Sequence, residues 1–312
     1  MRSKLVRMII EVLLTEAEIA DEFVEAMEAR DVPEKFFYWT PLSVRTWQEF
    51  GGDSHESLRH TWEALAARSK DLVAHFGARV PVISFGAGEG LKDRMLLKAL
   101  RDSGLEVKYY PVDASQTMLE IACAGAEDDD CEALGIKADI SSPVHLLLAA
   151  DVSEAPRLFL MAGNTLGGFD PLDQMRHVSE CMHKGDLLVL DARIREENPP
   201  DPTEAQKRFV FAPLASAGLT QEDGELRFTE NSDDRHEGLY LLTRRFHASK
   251  DLTMLASGRQ IHIERGERIF LNFRYRFTRQ AFRWLVSEHA GLQVIAEIPS
   301  SDGRFVTMVC SK

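Results

Sequence analysis

VPVISFGAGEGLKD, residues 80–93, decides the fold. Its first six residues are apolar except for Ser84, which suits a buried strand and is too short for a helix. Gly86, Gly88 and Gly90 follow at once. Glycines here let the chain turn tightly and let the backbone approach a ligand closely. From Leu91 the stretch LKDRMLLKALRDSG places apolar residues at helical spacing and stops at Gly104. Strand, glycine turn and helix in this order make the first unit of a nucleotide-binding α/β sheet.

The alternation continues outward. EVKYYPVDAS (106–115) reads as a second strand ending at Asp113, and QTMLEIACAGAE as a helix with Ser115 as its cap. EALGIKADI (132–140) is a third, weaker strand. Arg157 to Ala162 is a fourth, PLDQMRHVSECMHKG (171–185) a helix with proline near its start, and DLLVLDARI (186–194) a fifth strand. Repeated βα units demand a parallel sheet with helices on both faces. The end of the chain, QVIAEIP then Ser301-Asp302-Gly303 then RFVTMVC, reads as a hairpin. It adds an antiparallel last strand, which dinucleotide dehydrogenases mostly lack.

The pattern breaks at EENPPDPTE (196–204), a proline-rich acidic boundary. Beyond it GLYLLTRRF (238–246) and RQIHIERGERIFL (259–271) read as strands of a different texture, before TRQAFRWLVSEHAG (278–291) resumes as a helix. The expected division is a Rossmann-like domain over 60–195 and 276–312, with a smaller α+β substrate-binding cap over 1–59 and 196–275. Ligands of open α/β sheets bind at the strand C-termini, beneath such a cap.

The net charge of −13 repels phosphate backbones, which argues against nucleic-acid substrates and for a small molecule, one that a cationic group would suit. Cys123, Cys131, Cys181 and Cys310 show no CxxC pair and no zinc spacing, so no metal site is expected and the thiols fit a reducing cytoplasm. The opening MRSKLVRMIIEVLLTEAEIADEF is interrupted by Arg7 and Glu11. It reads as an amphipathic helix, and neither a signal peptide nor a membrane span.

Asp113 stands 25 residues past Gly88, where a carboxylate accepts both ribose hydroxyls of an adenosine cofactor. Gly86, Ala87 and Gly88 form the turn beneath it. Lys92 either pairs with a cofactor carboxylate or is a surface lysine. Asp139 and Ile140 end the third strand, where an acid and an apolar neighbour would flank adenine. Asn164-Thr165-Leu166-Gly167-Gly168-Phe169 follows the fourth strand on the floor of the expected site. A dinucleotide enzyme uses nearly the same glycine turn, so a nicotinamide-dependent oxidoreductase stays open on the turn alone.

With these residues assembled, the chain resembles the histidine-specific methyltransferases of ergothioneine biosynthesis, a family that also holds fungal enzymes methylating prenylated tryptophan. PEKFFY (33–38) is similar to the family's PPKYFY, FGAGEGLKD (85–93) to LGSGSSRKT, YPVDAS (110–115) to YVPVDVS, and NTLGGFDP (164–171) to GTIGNLxP. Gly266-Glu267-Arg268-Ile269 through Arg276-Phe277-Thr278 is similar to GExIxTExSxKYT. The resemblance implies a class I methyltransferase sheet. It implies S-adenosylmethionine held by Gly86, Lys92, Asp113, Asp139 and Ile140, and a two-part architecture.

The departures fall on the substrate side. The family's substrate-gripping asparagine is Gly168 here, and its glutamate and serine that hold imidazole fall at Asn272 and Arg274. Ser84 stands where the family carries an acid. Lost polar contacts would leave buried substrate groups unpaired, at about 1–3 kcal/mol each. The expectation is methyl transfer to a small acceptor other than histidine, at nitrogen of an amino-acid-like or natural-product molecule. Tyr38, Trp39, Gly168, Asn272 and Arg274 are the substrate-side candidates, and no catalytic base stands out; His55 reads as a solvated loop residue. A non-catalytic binding protein on the same fold is the alternative.

Overall fold

The computed structural model describes residues 8–312, excluding the side chains of residues 52–55. Strands β1 (Ile10–Val12), β2 (Arg79–Phe85), β3 (Glu106–Asp113), β4 (Glu132–Ala133), β5 (Gly135–Lys137), β6 (Leu158–Met161) and β7 (Leu187–Arg193) run parallel. With the last two strands, β13 (Gln293–Pro299) and β14 (Phe305–Ser311), they form one sheet in the order β1-β5-β3-β2-β6-β7-β14-β13, β4 pairing with β3. β14 lies antiparallel between β7 and β13, so the expected hairpin closes the sheet. Parallel strands covered on both faces must be apolar throughout, and Val82, Ile83, Phe85, Leu158, Phe159, Leu188 and Val189 are all buried.

Helices α1 (Glu16–Ala29), α2 (Phe36–Trp39), α3 (Pro41–Phe50), α4 (Gly52–Ala67) and α5 (Ser69–Val73) precede the glycine turn. α6 (Leu91–Asp102), α7 (Gln116–Asp128), α8 (Pro143–Ala150) and α9 (Pro171–Cys181) follow successive strands, and α10 (Glu204–Ser216) follows β7. α11 (Arg279–Trp284) continues into a wider turn over Leu285–His289.

The chain between α10 and α11 forms a three-stranded antiparallel sheet of β8 (Gly224–Ser232), β9 (Leu239–Ala248) and β12 (Arg268–Phe277), plus a hairpin of β10 (Leu252–Ala256) and β11 (Arg259–Ile263). A separate apolar core joins α1, α2 and α10 to these strands through Phe23, Phe36, Phe209, Phe246 and Leu271.

Two elements differ from the sequence reading. The opening segment reads as helical in sequence; its first seven residues lie outside the described residues, and beyond them Ile10–Val12 is an edge strand on β5, with helix from Glu16. The reason is local, because Thr15 and Glu18 form a reciprocal capping box that fixes the helix start there. RQIHIERGERIFL is two strands, since Gly266 (φ +88°) turns the chain between β11 and β12. α4 packs against the large sheet, with Leu58, Trp62 and Leu65 buried in its core. His55 falls within α4, its side chain outside the described residues.

Candidate cofactor and acceptor site

The turn after β2 builds one wall of a cleft at the C-terminal edge of the sheet, with about 930 Å³ of empty space. Gly86, Gly88 and Gly90 all have positive φ. At Gly86 a side chain is also excluded by space, as a Cβ would lie 2.6 Å from Thr165 and 3.1 Å from Ile140.

Asp113, at the end of β3, closes the turn from beside it. Its carboxylate accepts from Gly88 N at 3.0 Å and Ser115 N at 2.9 Å. Burial pushes its carboxyl upward, opposed by these backbone donors. Each oxygen keeps a lone pair for another donor.

Gly86, Ala87, Gly88, Lys92, Asp113, Asp139 and Ile140 all line this one cleft. Asp139 is more engaged than the sequence suggests. Lys35 Nζ lies 2.7 Å from it, and Ser141 donates through backbone and hydroxyl. Burial alone would raise the Asp139 carboxyl, but Lys35 and Ser141 hold it below the usual range. Lys35 also pairs with Glu22 on α1.

Asp93 is a cleft-lining group that sequence reasoning missed. It is buried, accepts from Tyr109 Oη at 2.6 Å, and burial raises its carboxyl. It supplies a carboxylate near the turn whose strand carries Ser84 in place of an acid. An acid directly after Lys92 in a helix's first turn was the available signal.

Asn164 takes a different place from the other cofactor candidates. It lies in a left-handed conformation (φ +59°) with Oδ1 accepting from Arg193 N at 2.8 Å. It lines a second cavity of about 720 Å³, which shares Trp47, Gly163 and Arg274 with the first. Asp191 on β7 anchors this loop by accepting from Gly163 N at 2.9 Å, from Asn164 N, and from Trp62 Nε1 at 2.8 Å.

The substrate-side candidates divide. Tyr38, Gly168, Asn272 and Arg274 converge on Glu34, which the sequence marks only as one position of PEKFFY. Glu34 is buried, pairs with Arg274, accepts from Asn272 Nδ2, and accepts from Tyr38 Oη at 3.0 Å. Arg274 in turn donates to Tyr38 Oη at 2.8 Å. Asn272 reaches inward because β12 carries an irregularity there and Asn272 adopts φ +57°, which asparagine tolerates better than most residues.

Gly168 is the space that this cluster occupies. A Cβ there would lie 2.6 Å from Arg274 Nη1 and 2.9 Å from Glu34 Cδ. Burial pushes the Tyr38 hydroxyl far above its usual range, which keeps it protonated between Glu34 and Arg274.

Trp39 stands apart from this cluster. It packs on Phe23 and Phe36 and donates to Glu16 at 2.7 Å. Trp47 lines both cavities and packs against Tyr38 and Phe209. Among the described residues no cluster of His, Cys, Asp and Glu could hold a metal, and no helix is long and apolar enough to cross a membrane.

A mostly parallel sheet closed by an antiparallel hairpin, with a cleft over its glycine turn, defines a class I methyltransferase fold. A family model described as histidine-specific methyltransferase, SAM-dependent, matches residues 24–197, and the chain belongs to that family. Histidine N-alpha-methyltransferase of Mycolicibacterium smegmatis is 29% identical over 166 residues, 52% of this chain and 50% of that protein. Its namesake from Mycobacterium tuberculosis is 28% identical over 164 residues, again 52% of this chain and 50% of that protein. The chain spans about half the length of the curated relatives it matches. A crystal structure of an S-adenosylmethionine-dependent methyltransferase from Clostridium acetobutylicum aligns with a TM-score of 0.45 at 11% identity, over 86% of this chain and 96% of that one.

Proposed function

We propose that this chain transfers a methyl group from S-adenosylmethionine to a nitrogen of a small acceptor other than histidine, amino-acid-like or a natural product. The observation that carries this reading is the Glu34 cluster. Where the family resemblance would put groups gripping histidine, Gly168, Asn272 and Arg274 instead close around a buried protein carboxylate.

The residues present fit the cofactor. The glycine cradle leaves no room for side chains at Gly86, and Asp113 is pre-set by two backbone donors. In this reading Asp113 accepts the ribose hydroxyls, Ile140 packs the adenine with Asp139 beside it, and Lys92 and Asp93 receive the carboxylate and ammonium of the methionine part. When bound, S-adenosylmethionine supplies a methyl already activated on a sulfonium.

The protein therefore has to align and to exclude water. The loop at 163–164, fixed by Asp191, sits between the two cavities and sets the line of approach. An amine acceptor attacks only as the free base, so it must shed any ammonium proton to solvent before transfer, and the nitrogen then needs no strong base. Residues 60–195 and 276–312 would hold the cofactor, with β1 joining their sheet, and 1–59 with 196–275 would hold the acceptor. The four buried, unpaired cysteines favour a reducing, cytoplasmic setting.

The test is calorimetric titration with S-adenosylhomocysteine, then turnover with methyl-labelled S-adenosylmethionine against an acceptor pool that includes histidine, read by mass spectrometry. The expected result is micromolar binding and a labelled amine that is not histidine. Efficient methylation of histidine would overturn the acceptor assignment. Binding with no product from any acceptor would point to a non-catalytic member of the fold.

A further inference from the structure

We infer that the second cavity receives an anionic group on a flat aromatic acceptor, a carboxylate or a phosphate. This rests on the methyltransferase reading above only in calling the ligand an acceptor; the charge of the cavity stands on its own geometry.

Four guanidiniums line the cavity: Arg193, Arg244, Arg274 and Arg276. No carboxylate lines it among the described residues. Three carboxylates answer these cations from behind. Glu196 pairs with Arg193 at 2.9 Å, Glu230 with Arg276 at 2.9 Å, and Glu34 with Arg274. Glu230 is also shared with Arg195, at 2.9 Å.

Arg244 is the cation in excess. It is 3% exposed, and the nearest carboxylate, Glu34, is 3.7 Å away and already committed to Arg274. One Nη donates to Phe273 O at 3.2 Å, while its Nε has no hydrogen-bond partner. The Nε of Arg193 is likewise buried without one. Burial and the neighbouring charge of Arg274 pull the Arg244 guanidinium down to about 10. A buried cation lacking a full counter-charge is costly unless something completes it. An anion in this cavity would do so.

Half of the remaining lining is aromatic, the other half aliphatic or neutral polar. Phe50 and Phe209 stack at 5.6 Å with planes 9° apart, and Trp47 leans on Phe209 at 5.5 Å. Such walls take a planar body, and guanidiniums take its charged end bidentately. The cavity shares Gly163 with the cofactor cleft, so a ligand anchored by its anion here extends toward the methyl-transfer loop. The net charge of the whole chain, −13, points toward a cationic partner, but the local wall carries the opposite sign.

The experiment is calorimetry on the full chain saturated with S-adenosylhomocysteine. The probes are indole-3-carboxylate against indole-3-carboxamide, L-tryptophan against L-tryptophanamide, and 1-naphthyl phosphate against 1-naphthol. At least one anion should bind tenfold or more tightly than its neutral partner, and which pair responds distinguishes carboxylate from phosphate. Arg244→Met should bring that pair within threefold of each other, with Arg244→Lys retaining part of the preference. Arg276→Met serves if the first variant does not fold. Equal binding of anion and neutral partner, or no binding of any probe while S-adenosylhomocysteine binds, overturns the inference. Anion binding without S-adenosylhomocysteine binding would instead overturn the cofactor assignment and leave the anion cavity standing.

Discussion

Lys35, just before α2, and Asp139, just after β5, form a salt bridge of 2.7 Å that ties the N-terminal helices to the rim of the cleft over the glycine turn. Both side chains are 13% exposed, so the pair is screened less than a surface pair. Asp139 has a lowered pKa, so its contribution is present above the unfolded aspartate value, about 3.9, and is lost as pH falls below that. Lys35 has a raised pKa, so its contribution is lost only as pH rises past about 10.4. Asp139→Asn should therefore cost about 1–3 kcal/mol at any pH from 5 to 9, with the difference from wild type shrinking below pH 4. Urea denaturation across that range checks it; a difference that grows on acidification would contradict the pairing.

Asp113→Ala should weaken S-adenosylhomocysteine binding by tenfold or more. The substitution removes the groups proposed for the ribose, and it frees the amides of Gly88 and Ser115. Unchanged affinity in calorimetry would remove Asp113 from the cofactor site.

Asp191→Asn should lower stability by about 2–4 kcal/mol, because one buried carboxylate answers Gly163 N, Asn164 N and Trp62 Nε1, and an amide cannot accept from all three. Thermal melts read the stability. Loosening of the 163–164 loop should also lower kcat more than it raises the KM for S-adenosylmethionine.

Glu34→Ala should be among the most damaging single changes, at about 3–5 kcal/mol, since it leaves the guanidiniums of Arg274 and Arg244 buried without their carboxylate. Removing charge on both sides, as in Glu34→Gln with Arg274→Met, should recover part of that loss. A double variant no better than the single would mean that packing, not charge, holds the cluster.

Trp39→Phe should cost about 1 kcal/mol or less and leave S-adenosylhomocysteine and acceptor binding unchanged, because the indole meets Glu16 and other aromatic rings rather than either cavity. A tenfold rise in acceptor KM would return Trp39 to the site.

The parts of the fold with strong periodicity were legible. β2, the glycine turn, α6 and β3 follow from buried apolar runs and helical spacing, and the closing hairpin from its Ser-Asp-Gly turn. The edge strand Ile10–Val12 was not, because three residues set no period and the Thr15–Glu18 cap lies just beyond them. That the residues proposed for the cofactor line one cleft was legible because they sit at strand ends, whose location the alternation dictates. The Glu34 cluster was not, since 238 positions separate Glu34 from Asn272 and only the folded chain joins them. Trp39 and Trp47 differ by eight positions, and short helices α2 and α3 decide which one faces the cavities.

The missing side chain at Gly168 makes that position a spacer. A side chain there would have to push aside the ends of Arg274 and Glu34, which lie within 2.6 Å and 2.9 Å of where its first carbon would stand. Positions 34, 168 and 274 are therefore coupled by volume: what glycine leaves out at 168 is the room that the Arg274–Glu34 pair fills, and a side chain added there costs less once Arg274 is made small.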